Sequence, residues 1–270
     1  MNLNGRCRNF APVEPPHTPV RYPYNNRHLI IGTASENHYV KLSPRLCPMI
    51  VFDLDDTLFK EMSYVTSACR AIADAVGNSG EMRPADVFDM IEEAGSTSKG
   101  FDILAAHLWQ QNPATEFTVP RLVEIYRTHV PDIRLSPGAK ELLDTLKARG
   151  IAIGLITDGR SATQRAKIEA LRLTDYIAPD NIIISAETGA DKTTPTPFRL
   201  MMERNQGEKE FTYVGDNPSK DFRWPNALGW HTVQLDDPTG INIHSQAIEV
   251  APEFRAQTHI STLHDLISQL

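Results

Sequence analysis

Short apolar runs that end in a polar residue recur along this chain, and amphipathic stretches separate them. Met49-Ile50-Val51-Phe52 runs into Asp53, and Ile151–Ile156 (IAIGLI) runs into Thr157 and Asp158. Ile182–Ile184 forms a third run. Phe211–Val214 (FTYV) ends at Gly215 and Asp216, and His231–Leu235 (HTVQL) makes a fifth. Runs this apolar suit strands covered on both faces, as in a parallel sheet. A helix is predicted over Pro137–Arg149, with Ser136 as N-cap, Gly150 as terminator, and Leu142, Leu143 and Leu146 as its apolar stripe. Further helices are expected over Ala162–Leu173, Thr196–Arg204 and Ser219–Leu228, and Ile260–Leu270 closes the chain as a last one. Alternation of this kind predicts βαβ units, hence an α/β fold with a doubly wound parallel sheet.

Two segments stand outside the alternation. Between the first strand and Pro137 the pattern is helical with no convincing strand: Val65, Cys69, Ile72 and Val76 make one stripe, and Val87, Met90 and Ile91 a second. Residues 61–134 therefore read as an α-helical insert whose apolar residues are mostly its own core. Residues 1–47 carry Pro12, Pro15, Pro16, Pro19, Pro23 and Pro44, which break any helical pattern, and only His28–Gly32 is strand-like. They read as a mostly irregular arm. The expected organisation is an arm over 1–47, a sheet-bearing core over 48–60 and 135–270, and a helical unit over 61–134.

Composition narrows the function classes. The 270 residues are 41% hydrophobic and 23% charged, with a net charge of −7 and no dense Lys/Arg run. That argues against a nucleic-acid polymer as partner and against an anionic membrane surface, yet leaves room for a small anionic substrate held by a local lysine and a metal. Three cysteines, Cys7, Cys47 and Cys69, give no disulfide framework and no zinc spacing. With no apolar run near the ~20 residues that cross a bilayer and no signal-peptide core, a cytoplasmic setting is expected. Oligomeric state is not readable.

Candidate chemistry gathers where the apolar runs end, the edge at which open α/β sheets bind ligands. The first run delivers Asp53, Asp55, Asp56 and Thr57, the second Thr157 and Asp158, and the fourth Asp216 and Asp221; Lys192 follows the third. Converging carboxylates would repel one another and raise their pKa values. A hard divalent cation such as Mg2+, which prefers oxygen ligands, relieves that repulsion, and Asp53 and Asp216 could supply it with carboxylates. Asp53 could also attack phosphorus to form an aspartyl-phosphate, with Asp55 placed to protonate the leaving oxygen and then activate water. Thr157 and Lys192 would hold the phosphoryl oxygens. Asp56 reads as a cap for the following helix, Thr57 as a hydrogen-bonding stabiliser of its loop, Asn217 as loop-stabilising, and Lys60 and Glu61 as hinge or surface residues.

Asp53-x-Asp55-x-Thr57, then Thr157, then Lys192, then Gly215-Asp216-x-x-x-x-Asp221 resemble, in order, the four motifs of the haloacid dehalogenase (HAD) superfamily, over residues 48–235. The insert after the first motif looks like the type-one helical cap of subfamily I. The resemblance implies a Rossmann-like core and magnesium-dependent phosphoryl transfer. It implies Asp53 as nucleophile and metal ligand, and Asp55 as general acid/base whose backbone carbonyl also meets the metal. Asp216 is implied as a metal ligand, Thr157, Asp158 and Lys192 as phosphate-binding, and Thr57 and Asp221 as supporting residues. One departure is the stretch after Lys192, Thr193-Thr194-Pro195, where family members often carry Pro directly after the lysine; Lys220 is the competing lysine, read as exposed. The function this implies is a phosphatase acting on a small phosphorylated metabolite, such as a sugar phosphate or nucleotide. A metal-free dehalogenase would need neither Asp55 nor Asp216. A phosphomutase, or a HAD-like module used only for interaction, is the alternative.

Overall fold

The computed structural model describes residues 49–268, and the N-terminal arm expected over 1–47 lies outside them. Six parallel strands form one sheet in the order β3-β2-β1-β4-β5-β6. They are β1 (Met49–Phe52), β2 (Ile153–Thr157), β3 (Ile182–Ile184), β4 (Phe211–Gly215), β5 (His231–Leu235) and β6 (Thr258–Ile260). Every residue of β1, β2 and β3 is buried, which explains why these runs carry no polar alternation: helices cover both faces. Alternate residues feed two cores. Ile50, Phe52, Leu155, Ile184 and Val214 face one, and Met49, Val51, Ile156, Ile183 and Tyr213 face the other.

Four helices fall between β1 and β2: α1 (Glu61–Ser79), α2 (Pro84–Glu93), α3 (Thr97–Gln111) and α4 (Val119–Thr128). They bury a core of their own that includes Ile72, Val76, Val87, Phe101, Leu104 and Leu122. The chain then re-enters the sheet layer at α5 (Pro137–Arg149). Its start is held by the Ser136 hydroxyl, which accepts from the Ala139 N–H at 3.2 Å, and it ends on left-handed Gly150, φ 68°.

Three expectations change. The helix expected over Ala162–Leu173 is α6 (Ser161–Ala170), followed by a 3-10 turn. The helix expected over Ser219–Leu228 is only α9 (Arg223–Ala227); the preceding residues make a tight turn in which Asp221 folds back to accept from the Asn217 N–H at 2.9 Å. The closing helix expected from Ile260 is preceded by a sixth strand, β6, ending at Ile260. The helix proper, α10 (Leu263–Ile267), starts at a capping box in which Thr262 and Asp265 bond each other's backbone. Three residues are too few for periodicity to separate strand from helix. The remaining helices are α7 (Ser185–Thr188) and α8 (Thr196–Arg204). Among the described residues no helix is long and apolar enough to cross a membrane.

Candidate active site

The strand order reverses direction between β1 and β4, and a crevice opens at the carboxyl edge there because connections leave on opposite sides. Asp53 and Asp216 follow these two neighbouring strands directly, and Thr157 ends β2 on the other side of β1. A small polar cleft is lined by Asp53, Asp55, Asp56, Glu61, Thr157, Asp158, Lys192, Asp216, Asn217, Lys220 and His244. A more apolar cleft lies within the helical unit, against Met62, Cys69, Phe88 and Ile91; it lacks the lysine and clustered carboxylates that phosphate chemistry needs.

Lys192 sits at the centre of the charge network. Its Nζ donates to Asp53 Oδ1 at 2.7 Å and lies 2.6 Å from Asp221 Oδ1, and the side chain is 1% exposed. Burial works against its charge, but Asp221 and Asp53 outweigh that and hold the ammonium well above its ordinary range. One ammonium cannot neutralise the carboxylates around it. Burial, with the repulsion of Asp221 and Asp55, pushes Asp53 up to about 7 despite Lys192. Burial, with the charges of Asp221 and Asp53, pushes Asp216 up to about 9. Asp53, Asp216 and Asp221 can each bring one carboxylate oxygen within 4.8 Å of the others. Such a hard-oxygen, charge-excessive set fits a divalent cation of the Mg2+ type. Asp221 has the least to give a metal, since Oδ1 faces Lys192 and Oδ2 accepts from Asn217 N–H. Gly215 makes this possible: a Cβ there would come within 2.5 Å of Asp221 Oδ2.

Thr157 and Asp158 differ in what they can offer. Thr157 Oγ1 accepts from Gln164 Nε2 at 2.6 Å, which leaves its own O–H to donate. The Asp158 carboxylate accepts from the Lys192 backbone N–H at 3.1 Å and from Lys220 Nζ at 3.3 Å. Lys220 is thus a half-buried cation of the cleft wall instead of an exposed residue. Asp56 takes a left-handed backbone, φ 58°, and its carboxylate accepts from the N–H groups of Glu61 and Ile243, each at 2.9 Å. Thr57 departs from expectation: its hydroxyl is buried yet has no hydrogen-bond partner among the described residues.

Several residues around the cleft carry no motif and escape sequence reasoning. Asp55 accepts from Lys167 Nζ on Oδ1 at 2.6 Å and from Gln164 Nε2 on Oδ2 at 2.9 Å. Both donors come from the inner face of α6, three positions apart. The sequence offers no local signal for them, since the burial of Lys167 appears only in the fold. Glu61, read as hinge or surface, lines the cleft; burial and the charge of Asp55 push it up to about 7 against the pull of Lys167. The long segment between β5 and β6 also contributes. Asn242 Nδ2 donates to Asp216 Oδ2 at 3.0 Å and its Oδ1 accepts from Lys60 Nζ. Gln246 Nε2 donates to the backbone carbonyls of Asp216 and Leu235, each at 2.8 Å. Nothing local marks these two, because their partners are set by how the segment folds back.

The sequence model for haloacid dehalogenase-like hydrolases matches residues 50–234. A ribulose-1,5-bisphosphate 5-phosphatase of Halopiger xanaduensis is 33% identical over 142 residues, 52% of this chain; the match spans 59% of that relative's own length. A glyceraldehyde 3-phosphate phosphatase of Methanocaldococcus jannaschii is 30% identical over 194 residues, 69% of this chain and 83% of the relative. Among solved structures, a HAD-hydrolase of Bacillus subtilis bound to magnesium superposes with a TM-score of 0.57 at 19% identity, over 83% of this chain and 98% of that one; at that identity the likeness is one of fold.

Proposed function

Because the chain belongs to the haloacid dehalogenase-like hydrolase family, we propose that it is a phosphatase that hydrolyses a small phosphomonoester through an aspartyl-phosphate on Asp53. The observation that supports this most is the meeting of Asp53, Lys192 and Asp216 at the point where the strand order reverses. Asp53 gives Oδ1 to Lys192, and no hydrogen bond from a described residue reaches its other oxygen, which is the one to attack phosphorus. The P–O bond to the leaving group breaks as the new P–O bond forms, and the leaving oxygen takes a proton from Asp55. Water then attacks the aspartyl-phosphate, Asp55 takes a proton back, and phosphate leaves with Asp53 restored.

Lys192 and the free O–H of Thr157 hold the phosphoryl oxygens, where negative charge must be balanced. The Asp158 carboxylate would repel a phosphate, so its part is to orient Lys192 and Lys220, and any direct contact must come from its backbone. Asp221 supports by fixing Lys192. Magnesium would be held by Asp53, Asp216 and the backbone carbonyl of Asp55, and would supply positive charge beside the transferring group. We assign residues 61–134 as a helical cap over the leaving group, on a catalytic core of 48–60 and 135–270. A sugar phosphate or other small phosphorylated metabolite is the substrate class, in line with what the named relatives act on.

Release of inorganic phosphate from 4-nitrophenyl phosphate and from a panel of phosphorylated metabolites, with Mg2+ and with EDTA, tests this. The Asp53→Asn variant is expected to release none, and EDTA to stop the wild type. Full turnover by Asp53→Asn would refute the nucleophile, and EDTA-insensitive turnover would refute the metal.

A further inference from the structure

One buried cation takes no part in the transfer steps above. Lys167 on α6 is 3% exposed. Its Nζ lies 2.6 Å from Asp55 Oδ1 and 3.6 Å from Glu61 Oε1, and 4.5 Å from the centroid of the Tyr64 ring. A buried ammonium is unfavourable unless paired, and these three groups supply the pairing. The second oxygen of Asp55 is held by Gln164, whose Nε2 also reaches Thr157 Oγ1 at 2.6 Å and the Asp158 carbonyl at 3.1 Å. Gln164 is itself backed by Gly159, φ 148°, where a Cβ would come within 3.0 Å of the Gln164 side chain. Both carboxylate oxygens of Asp55 are therefore fixed from α6 by two residues on one face of the helix.

We propose that Lys167 is a positioning residue for Asp55: with Gln164 it sets the direction of the carboxylate, and through Glu61 and Tyr64 it ties that direction to the foot of α1. The role rests on reading Asp55 as the acid/base of a phosphatase. It places the proton donor under joint control of the sheet unit, which carries Lys167, and the helical unit, which begins at Glu61. Neither Asp55 nor its loop could hold the orientation alone, since the loop supplies no donor to that carboxylate among the described residues.

The readout is leaving-group dependence. A nitrophenolate departs with little protonation, whereas an alkoxide needs the proton, and general acid catalysis contributes about 10²–10⁴-fold where it is needed. Lys167→Met keeps the side-chain bulk and removes the charge. It is expected to lower kcat on an alkyl phosphate at least about tenfold more than on 4-nitrophenyl phosphate, with KM changed little, and Lys167→Arg to recover part of the alkyl activity. Gln164→Met, which removes the second donor to Asp55 together with the contacts to Thr157 and Asp158, is expected to show the same skew on top of a loss common to both esters, and serves if Lys167→Met does not fold. Equal losses on both esters, or no loss, would refute the positioning role. A wild-type chain that cleaves neither ester would instead refute the phosphatase reading and the role with it, so the two failures are distinct.

Discussion

Replacing Lys192 by methionine removes one ammonium and leaves the two carboxylates it bridges. Asp53 and Asp221 lie 2.7 Å and 2.6 Å from Nζ. Asp221 is fully buried and Asp53 nearly so, so water cannot take the place of the lost donor. Breaking a buried ion pair from one side costs about 3–5 kcal/mol. For a chain of this size that corresponds to a fall of roughly 6–20 °C in Tm. A companion variant, Lys192→Met with Asp221→Leu, removes one orphaned charge along with the cation and is expected to recover about half of the loss. Urea unfolding in EDTA, followed by intrinsic fluorescence, measures both. Lys192→Met is also expected to lower phosphate release by about 10²–10³-fold in saturating Mg2+, as loss of one donor to a developing oxyanion does elsewhere. A single variant within about 1 kcal/mol of wild type would show that the pairs at Lys192 are not desolvated, and the reasoning would fail. A double variant no more stable than the single one would fail it too.

Three more outcomes follow from the same geometry. Asp53 and Asp216 are raised from 3.8 to about 7 and about 9, so the folded state binds more protons than the unfolded one; stability in EDTA should fall as pH rises, through Asp53 from pH ~4 to ~7 and through Asp216 from pH ~4 to ~9, and added Mg2+ should flatten the fall in a pH series of urea midpoints. Gly215→Ala sets a Cβ against Asp221 and is expected to destabilise by about 1–3 kcal/mol, which chemical unfolding would show. Asn242→Ala removes the donor to Asp216 Oδ2 and is expected to weaken Mg2+ binding about 10–100-fold; titration calorimetry on the Asn242→Ala protein giving wild-type affinity would rule that contact out as an orienting one.

The residues at strand ends share one property: what marks them in the sequence is local. Asp53, Thr157 and Asp216 each stand where an apolar run stops, and a strand end is visible because hydrophobicity changes there over one or two residues. The Ser136 cap and the Gly150 stop of α5 are visible for the same reason. Thr57 is different: its hydroxyl has no partner among the described residues, and the loop is braced by Asp56, whose carboxylate accepts from the Glu61 and Ile243 N–H groups. Lys220 misled because the turn before α9 swings it to Asp158, across 62 positions of sequence.

By itself, the sequence determined the α/β class, the buried parallel strands, the helical insert and the order of polar residues at strand ends, because period, burial and caps act over a few residues. Tertiary structure alone decided that β1 and β4 are neighbours, that Lys192 is shared between Asp53 and Asp221, and that α6 holds Asp55 through Gln164 and Lys167. It also decided that the segment between β5 and β6 returns to Asp216 through Asn242 and Gln246. Those pairings join residues 26 to 139 positions apart. They form only when burial of the sheet and helix cores brings the ends of separate elements to one edge, and no pattern local to any one of them encodes the partner.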